Sequence, residues 1–263
     1  MDVVDQKSLT TNQNKQAWND ESYQAWVTRF GTPEDAALKI KENPQKPLVT
    51  LLPHFGEVSG TRIMNLMGSN GTKAVPLALL GADVTVADFS EGNQRYALEL
   101  ADAADVSISY LLGDVLDLKL EDQEPYQLVF AEMGILHYFK DLIPFFQMIH
   151  ALLDQGGECV IRDFHPVSTK LITSKGTTAK IRKHKVTGDY FDTSLTEQNV
   201  SYSKYDADNA STVLLRKWTL GDIVTSAAQA GLVIRSLIEE PNLSSDVFDK
   251  GIPKTFVLKA YKA

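Results

Sequence analysis

The chain has 263 residues, 43% hydrophobic and 23% charged, enough apolar material for one large core or one core plus a small cap. Twenty-six Lys and Arg against 34 Asp and Glu give a net charge of −8, which argues against nucleic acid as the main partner because phosphate binding needs clustered cations. The one cysteine, Cys159, lies in the apolar run Glu158-Cys159-Val160-Ile161 and excludes an intrachain disulfide. No stretch looks like a signal peptide or a bilayer span, so a cytoplasmic chain without membrane contact is expected.

In chain order, residues 15–29 read as a helix carrying Trp18, Tyr23 and Trp26, with Phe30 after it. Gly31-Thr32-Pro33-Glu34 stops it and starts another, with Thr32 as N-cap and Pro33 at the first helical position. Pro44 and Pro47 loosen the chain before a helix ending near His54. From Arg62 strands and helices alternate. Strands are expected at 62–67, 83–87, 107–111, 127–131 and 158–162. The helices between them stop at Leu80-Gly81, span 93–104, and run from an N-cap at Asp141 to Gly156-Gly157. That last helix puts Leu142, Phe145, Phe146, Ile149, Leu152 and Leu153 on one stripe.

Residues 164–217 break this rhythm. They are polar, with period-two hints at 198–205 and 211–216, and their basic run Lys180-Ile181-Arg182-Lys183-His184-Lys185 reads as a solvated face. A helix at 219–230 and strands at 232–239 and 255–261 follow. No helical pattern separates the final two strands, so they form an antiparallel hairpin. The whole is an α/β chain, a doubly wound seven-stranded sheet, mostly parallel. Residues 1–60 are an N-terminal helical segment, 61–163 with 218–263 the sheet domain, and 164–217 an inserted cap.

The chemistry gathers at one edge of that sheet. Asn65-Leu66-Met67-Gly68-Ser69-Asn70-Gly71 is a glycine turn that lets backbone approach a nucleotide, with free N–H groups at the next helix start. Asp88 after the second strand can accept two hydrogen bonds from a ribose. Asp114 and Glu132 follow the third and fourth strands at the same, carboxyl edge. Each carboxylate alone also suits a helix cap or solvated turn; together with the turn they make one site.

The order of these motifs resembles the class I S-adenosylmethionine-dependent methyltransferases, in detail an uncharacterised bacterial group of methyltransferase-domain proteins. The resemblance rests on the run from Met67 to Val75, on Gly81-Ala82-Asp83-Val84-Thr85-Val86-Ala87-Asp88-Phe89-Ser90, on Gly134-Ile135-Leu136-His137-Tyr138-Phe139 and on Asp163-Phe164-His165-Pro166-Val167-Ser168. It covers most of the chain and implies a Rossmann-like domain with S-adenosyl-L-methionine as cofactor. It further implies that Gly68, Ser69, Asn70 and Gly71 border the methionine part, and that Asp88 holds the ribose with Phe89 and Asn93 nearby. Asp114 and Val115 would meet the adenine, and Glu132, Met133 and Gly134 would run under the sulfonium. The family's usual acidic residue in the first motif is here Asn65, which can still accept from an ammonium group, without charge assistance. Pro76 falls inside the following helix, where it could forfeit a backbone bond.

Methyl transfer depends on alignment, with a general base needed only for a protonated acceptor. His137 is the first candidate base, with Asp163 and His165 behind it. Trp18, Tyr23, Trp26 and Tyr138 are candidate pocket walls, and Tyr190, Phe191 and Tyr202 could help close a lid, although aromatics often serve only to dock a helix. The expected partner is a small-molecule methyl acceptor; no metal site is expected. A non-catalytic binding relative is the alternative. A nicotinamide-dependent oxidoreductase is disfavoured by the missing GxGxxG and Tyr-x-x-x-Lys patterns.

Overall fold

The computed structural model describes residues 22–119, 124–175, 183–199, 212–241 and 251–263. Trp18, Tyr202, the start of the first expected helix and the first part of the basic run lie outside the described residues. Helix α1 (Ser22–Phe30) is followed by α2 (Pro33–Glu42), which Thr32 caps by accepting from Asp35 N, with Pro33 at its first position as expected. A 3₁₀ turn (Lys46–Leu48) and a single helical turn α3 (Leu52–Phe55) lead to the sheet.

The sheet holds β1 (Arg62–Leu66), β2 (Asp83–Asp88), β3 (Ser109–Leu112), β4 (Tyr126–Glu132), β5 (Leu153–Phe164), β10 (Leu232–Pro241) and β11 (Pro253–Lys262). Its order in space is β3-β2-β1-β4-β5-β11-β10. β11 pairs antiparallel with both β10 and β5, and the other neighbouring pairs are parallel. The expected hairpin is therefore present, with its second strand inserted beside β5. The chain moves outward in opposite directions from β1 and β4, which places the topological switch point between those two strands.

Helices α4 (Ala74–Leu79), α5 (Glu91–Ala103), α6 (Ile143–Leu152) and α7 (Leu220–Gln229) make the crossovers. Successive strand residues enter different cores, as the pleat demands. Met64, Val129, Ile161 and Phe256 pack with Phe146 and Ile149 of α6 and Ala227 of α7. Ile63, Leu128, Val160 and Val257 pack with Leu48, Phe55 and Leu77. A further cluster ties Ala25 and Trp26 of α1 to Tyr96 and Leu100 of α5.

Three local expectations need correction. Pro76 is the third residue of α4, in its first turn and not its interior, so it forfeits only the one bond between Val75 N→Gly71 O at 2.9 Å and Leu77 N→Lys73 O at 3.3 Å. Asp141 Oδ1 accepts from Ile143 N at 2.9 Å, but the cap position belongs to Leu142. Gly156 and Gly157 do not end α6: the helix passes straight into β5, and residues 154–157 form a bulge between the pairs Tyr126↔Leu153 and Leu128↔Glu158.

The segment after β5 holds a π-helical turn (Val167–Leu171) and two antiparallel pairs, β6 (Ile172–Lys175) with β7 (Lys183–Val186) and β8 (Leu195–Asn199) with β9 (Thr212–Arg216). Buried Lys170 pins it, donating to the carbonyls of Asp192 at 2.6 Å and Lys217 at 2.8 Å.

Candidate functional site

The turn after β1 is held in an unusual backbone conformation. Met67 (φ 48°), Ser69 (φ 52°) and Gly71 (φ 75°) all have positive φ, which for the two non-glycine residues costs roughly 1–2 kcal/mol each. Surrounding bonds supply the compensation. Met67 N donates to Ala87 O at 2.6 Å, Ser69 N to Asp88 Oδ2 at 3.1 Å, and Tyr110 Oη to Ser69 O at 2.9 Å. A Cβ at Gly71 would come within 2.8 Å of Ala97 Cβ, so glycine lets α5 pack onto the turn. Asn70 is buried and accepts from Thr72 N and Oγ1.

Beside this turn lies a cavity of about 640 Å³. Asn65, Gly68, Ser69, Asn70, Glu132 and Met133 line it, and Trp26, Arg29 and Lys73 complete its polar wall. Glu132 Oε1 pairs with Lys73 Nζ at 2.9 Å. Its other oxygen, Oε2, and Asn65 Oδ1 are both buried without a hydrogen-bond partner among the described residues. Two orphaned acceptors in one cavity are unusual, since buried polar groups are almost always paired, and they suit a ligand that brings donors. Gly68 leaves the space open: a Cβ there would sit 2.4 Å from Asn65 Oδ1.

Asp88 ends β2 and is buried, at 7% exposure. Burial raises its pKa; bonds from Ser90 N, the Asn93 side chain, Ser69 N and Phe89 N oppose that. Helix α1 reaches this carboxylate through Asn93. Trp26 Nε1 donates to Asn93 Oδ1 at 2.7 Å, and Asn93 Nδ2 donates to Asp88 Oδ1 at 3.2 Å. Asp114 Oδ1 accepts from Leu116 N at 2.9 Å and caps a 3₁₀ turn (Val115–Asp117), with Val115 buried. Asp88, Phe89, Asn93, Asp114 and Val115 thus sit after β2 and β3 along the same edge of the sheet, but the 640 Å³ cavity does not include them among its walls.

A second, smaller cavity of about 200 Å³ contains His137, Asp163, Phe164, Lys217 and Trp218, and Phe164 is shared with the first. His137 belongs to a 3₁₀ turn after Gly134. Burial lowers its pKa below 6.5, with Asp163 opposing and Lys217 reinforcing the shift.

The other two candidate bases are engaged. Asp163 Oδ1 accepts from Gly134 N at 2.6 Å and Phe164 N at 2.7 Å, and its Oδ2 from Ile135 N at 3.0 Å and Leu136 N at 2.9 Å. Four backbone donors fill the lone-pair sites of one carboxylate, so Asp163 acts as the staple of the 134–136 loop and not as a base. His165 Nδ1 accepts from Val167 N at 3.1 Å, which leaves Nε2 to donate to Glu239 Oε1 at 2.7 Å. Its free lone pair is gone, and it too is structural.

Among the candidate walls, Trp26 lines the larger cavity. Tyr23 turns away from it: its hydroxyl donates to Glu99 and its ring packs on Tyr96 with centroids 5.8 Å apart, so it docks α1 on α5. Tyr138 backs His137 with ring centroids 4.6 Å apart. Tyr190 Oη accepts from Leu220 N at 3.0 Å, which ties the insertion to α7, whereas Phe191 is 79% exposed and closes nothing. Arg29, Lys73, Phe164, Lys217 and Trp218 line the cavities without being among the residues expected there. Lys73 was legible as the residue at the start of the helix after the glycine turn; nothing in residues 212–218 singled out Lys217. Among the described residues no group of side chains could hold a metal ion.

Residues 63–157 match the protein family described as "Methyltransferase domain". A curated relative, demethylmenaquinone methyltransferase from Clavibacter sepedonicus, is 29% identical over 115 residues, 44% of this chain and 46% of that one. The chain thus spans about half the length of the curated relative it matches. Among solved structures it is similar to an S-adenosylmethionine-dependent methyltransferase from Mesorhizobium loti, with TM-score 0.62 and 20% identity, over 85% of this chain and 100% of the other. It is also similar to magnesium protoporphyrin IX methyltransferase from Synechocystis PCC 6803 with bound S-adenosylmethionine, with TM-score 0.57 and 13% identity, over 95% of each chain.

Proposed function

We propose that this chain, which belongs to the class I S-adenosylmethionine-dependent methyltransferase family through its 63–157 domain, transfers a methyl group to a small molecule in the cytoplasm. The observation that carries this reading is the 640 Å³ cavity at the switch point, with two orphaned acceptors, Asn65 Oδ1 and Glu132 Oε2, beside the cations Arg29 and Lys73. That set complements an α-amino acid: acceptors for its ammonium group and positive charge for its carboxylate. Asn65, Glu132 and the Gly68–Gly71 backbone would hold the methionine part, Asp88 and Asn93 the ribose, and Asp114 and Val115 the adenine. S-adenosylmethionine, when bound, supplies a methyl group on a sulfonium centre.

The remaining work falls to the chain. The 134–136 loop, fixed by Asp163, runs from Met133 of the larger cavity to His137 of the smaller and would position acceptor against donor. His137, neutral through burial, is placed to take a proton from an acceptor that carries one. A small-molecule acceptor is supported by the modest second cavity, by the acidic net charge of −8, and by the acceptor in the curated relative's name. Among the described residues no helix is long and apolar enough to cross a membrane.

The test is incubation with methyl-labelled S-adenosylmethionine and fractionated cell extract, followed by mass spectrometry. The expected result is label in one low-mass fraction. Label confined to protein or RNA would refute the small-molecule reading. Tight S-adenosylhomocysteine binding with no transfer to any fraction would favour a non-catalytic relative.

A further inference from the structure

The 200 Å³ cavity has a chemical character of its own. Its volume lies below the roughly 300–1,000 Å³ of ordinary ligand pockets, which restricts an occupant to about one ring. Leu136, Phe164, Pro166, Leu215, Trp218 and Ile223 make its walls largely apolar, so charge interactions inside are stronger than in open water. Three ionisable groups remain. Asp163 is filled by four backbone donors and can accept nothing more. The His137 ring nitrogens and the Lys217 ammonium have no hydrogen-bond or ion-pair partner among the described residues.

We propose that this cavity is the acceptor subsite and that it takes a monocyclic oxygen acid, a phenol or a ring enol, with Lys217 pairing the oxyanion and His137 accepting the proton. The assignment rests on the methyltransferase reading. The cavity shares Phe164 with the cofactor cavity, and Gly134 lies at the junction, where a Cβ would be 3.3 Å from His137 Cε1 and 3.6 Å from Phe164 Cε2. An amine would meet the Lys217 cation and find no carboxylate oxygen free to receive its N–H groups. An acidic hydroxyl meets a neutral imidazole. Its O–H bond breaks, the proton passes to a ring nitrogen of His137, and the electron pair stays on oxygen opposite the Lys217 ammonium. Charge is conserved: a neutral pair becomes imidazolium and oxyanion.

The probe is 4-nitrophenol, whose visible absorption reports its ionisation, titrated into the full chain saturated with S-adenosylhomocysteine. The expected result is binding in the phenolate form at a pH where the free probe is mostly protonated. Lys217→Met weakens binding at least tenfold and abolishes that shift, and Lys217→Arg restores it, with S-adenosylhomocysteine affinity unchanged in both. The Lys217 carbonyl that anchors Lys170 survives either substitution. The inference is overturned, and the methyltransferase reading left standing, if S-adenosylhomocysteine binds but 4-nitrophenol does not. It is equally overturned if Lys217→Met binds the probe normally, or if benzylamine binds more tightly than 4-nitrophenol. Failure of S-adenosylhomocysteine itself to bind would remove both.

Discussion

Asp163→Asn separates a staple from a catalytic base. In the structure each carboxylate oxygen accepts two backbone N–H groups at 2.6–3.0 Å, from Gly134 and Phe164 on one side and Ile135 and Leu136 on the other. Whichever way the amide is turned, its NH2 group faces two donors. Two hydrogen bonds to a charged acceptor are lost, and two N–H groups in a buried loop are left without partners. At about 1.5–3 kcal/mol for each such bond, the cost is about 3–6 kcal/mol. A chain of this size loses roughly 2–4 °C in Tm per kcal/mol, so a fall of about 10 °C is expected. The assay is thermal unfolding followed by circular dichroism, with and without S-adenosylhomocysteine. A variant with wild-type Tm that has lost only methyl transfer would refute this reasoning and return Asp163 to the list of bases.

Glu132→Gln should weaken S-adenosylhomocysteine binding by about 10–100-fold in calorimetric titration, the equivalent of one charge-assisted bond of about 1.5–3 kcal/mol. Gly68→Ala drives a methyl group into Asn65 Oδ1 and Val86 Cγ1, 2.4 and 2.9 Å from the ideal Cβ, and should lose most cofactor affinity along with about 1–3 kcal/mol of stability in urea titration. Trp26→Phe strands the buried Asn93 Oδ1; a stability loss of about 1–3 kcal/mol is expected, and no loss would show that α1 does not depend on that bond. For pH, burial keeps the folded His137 pKa below 6.5, so its neutral form is already present at pH 7. The kcat/KM profile for a hydroxyl acceptor should therefore be flat down through pH 7 and fall only below 6.5. The same shift makes stability fall with pH in that range, because the unfolded chain protonates first. An acid limb beginning above pH 7 would exclude His137 as the base.

The fold was legible because its signals are local. Apolar runs ending in Asp88 or Glu132, and glycines at 71 and 81, mark strands and turns wherever they occur in the chain. The insertion of β11 between β5 and β10 was not legible, since a hairpin can dock by either strand and only the burial of Phe256, Val257 and Leu258 selects this one. At the site, type and position were readable but direction was not. Tyr23 and Trp26 are three residues apart on one helix, yet one hydroxyl meets Glu99 while the other ring walls the cavity. Asp163 looked like a base because a free carboxylate and a stapled one are the same letter; the four donors are gathered only by the fold. Lys217 ends the polar insertion and Trp218 follows it, just past the period-two hint at 211–216, where nothing in the sequence marks a side chain that faces a cavity.

The central claim is that the β1–β4 rim grips an adenosyl amino acid by its zwitterionic end. A crystal structure of the chain with S-adenosylhomocysteine tests it most directly. The account predicts the ligand's amino group within hydrogen-bond distance of Asn65 Oδ1 and Glu132 Oε2, two buried acceptors without partners among the described residues. A ligand bound elsewhere with those two atoms still unpaired would contradict it.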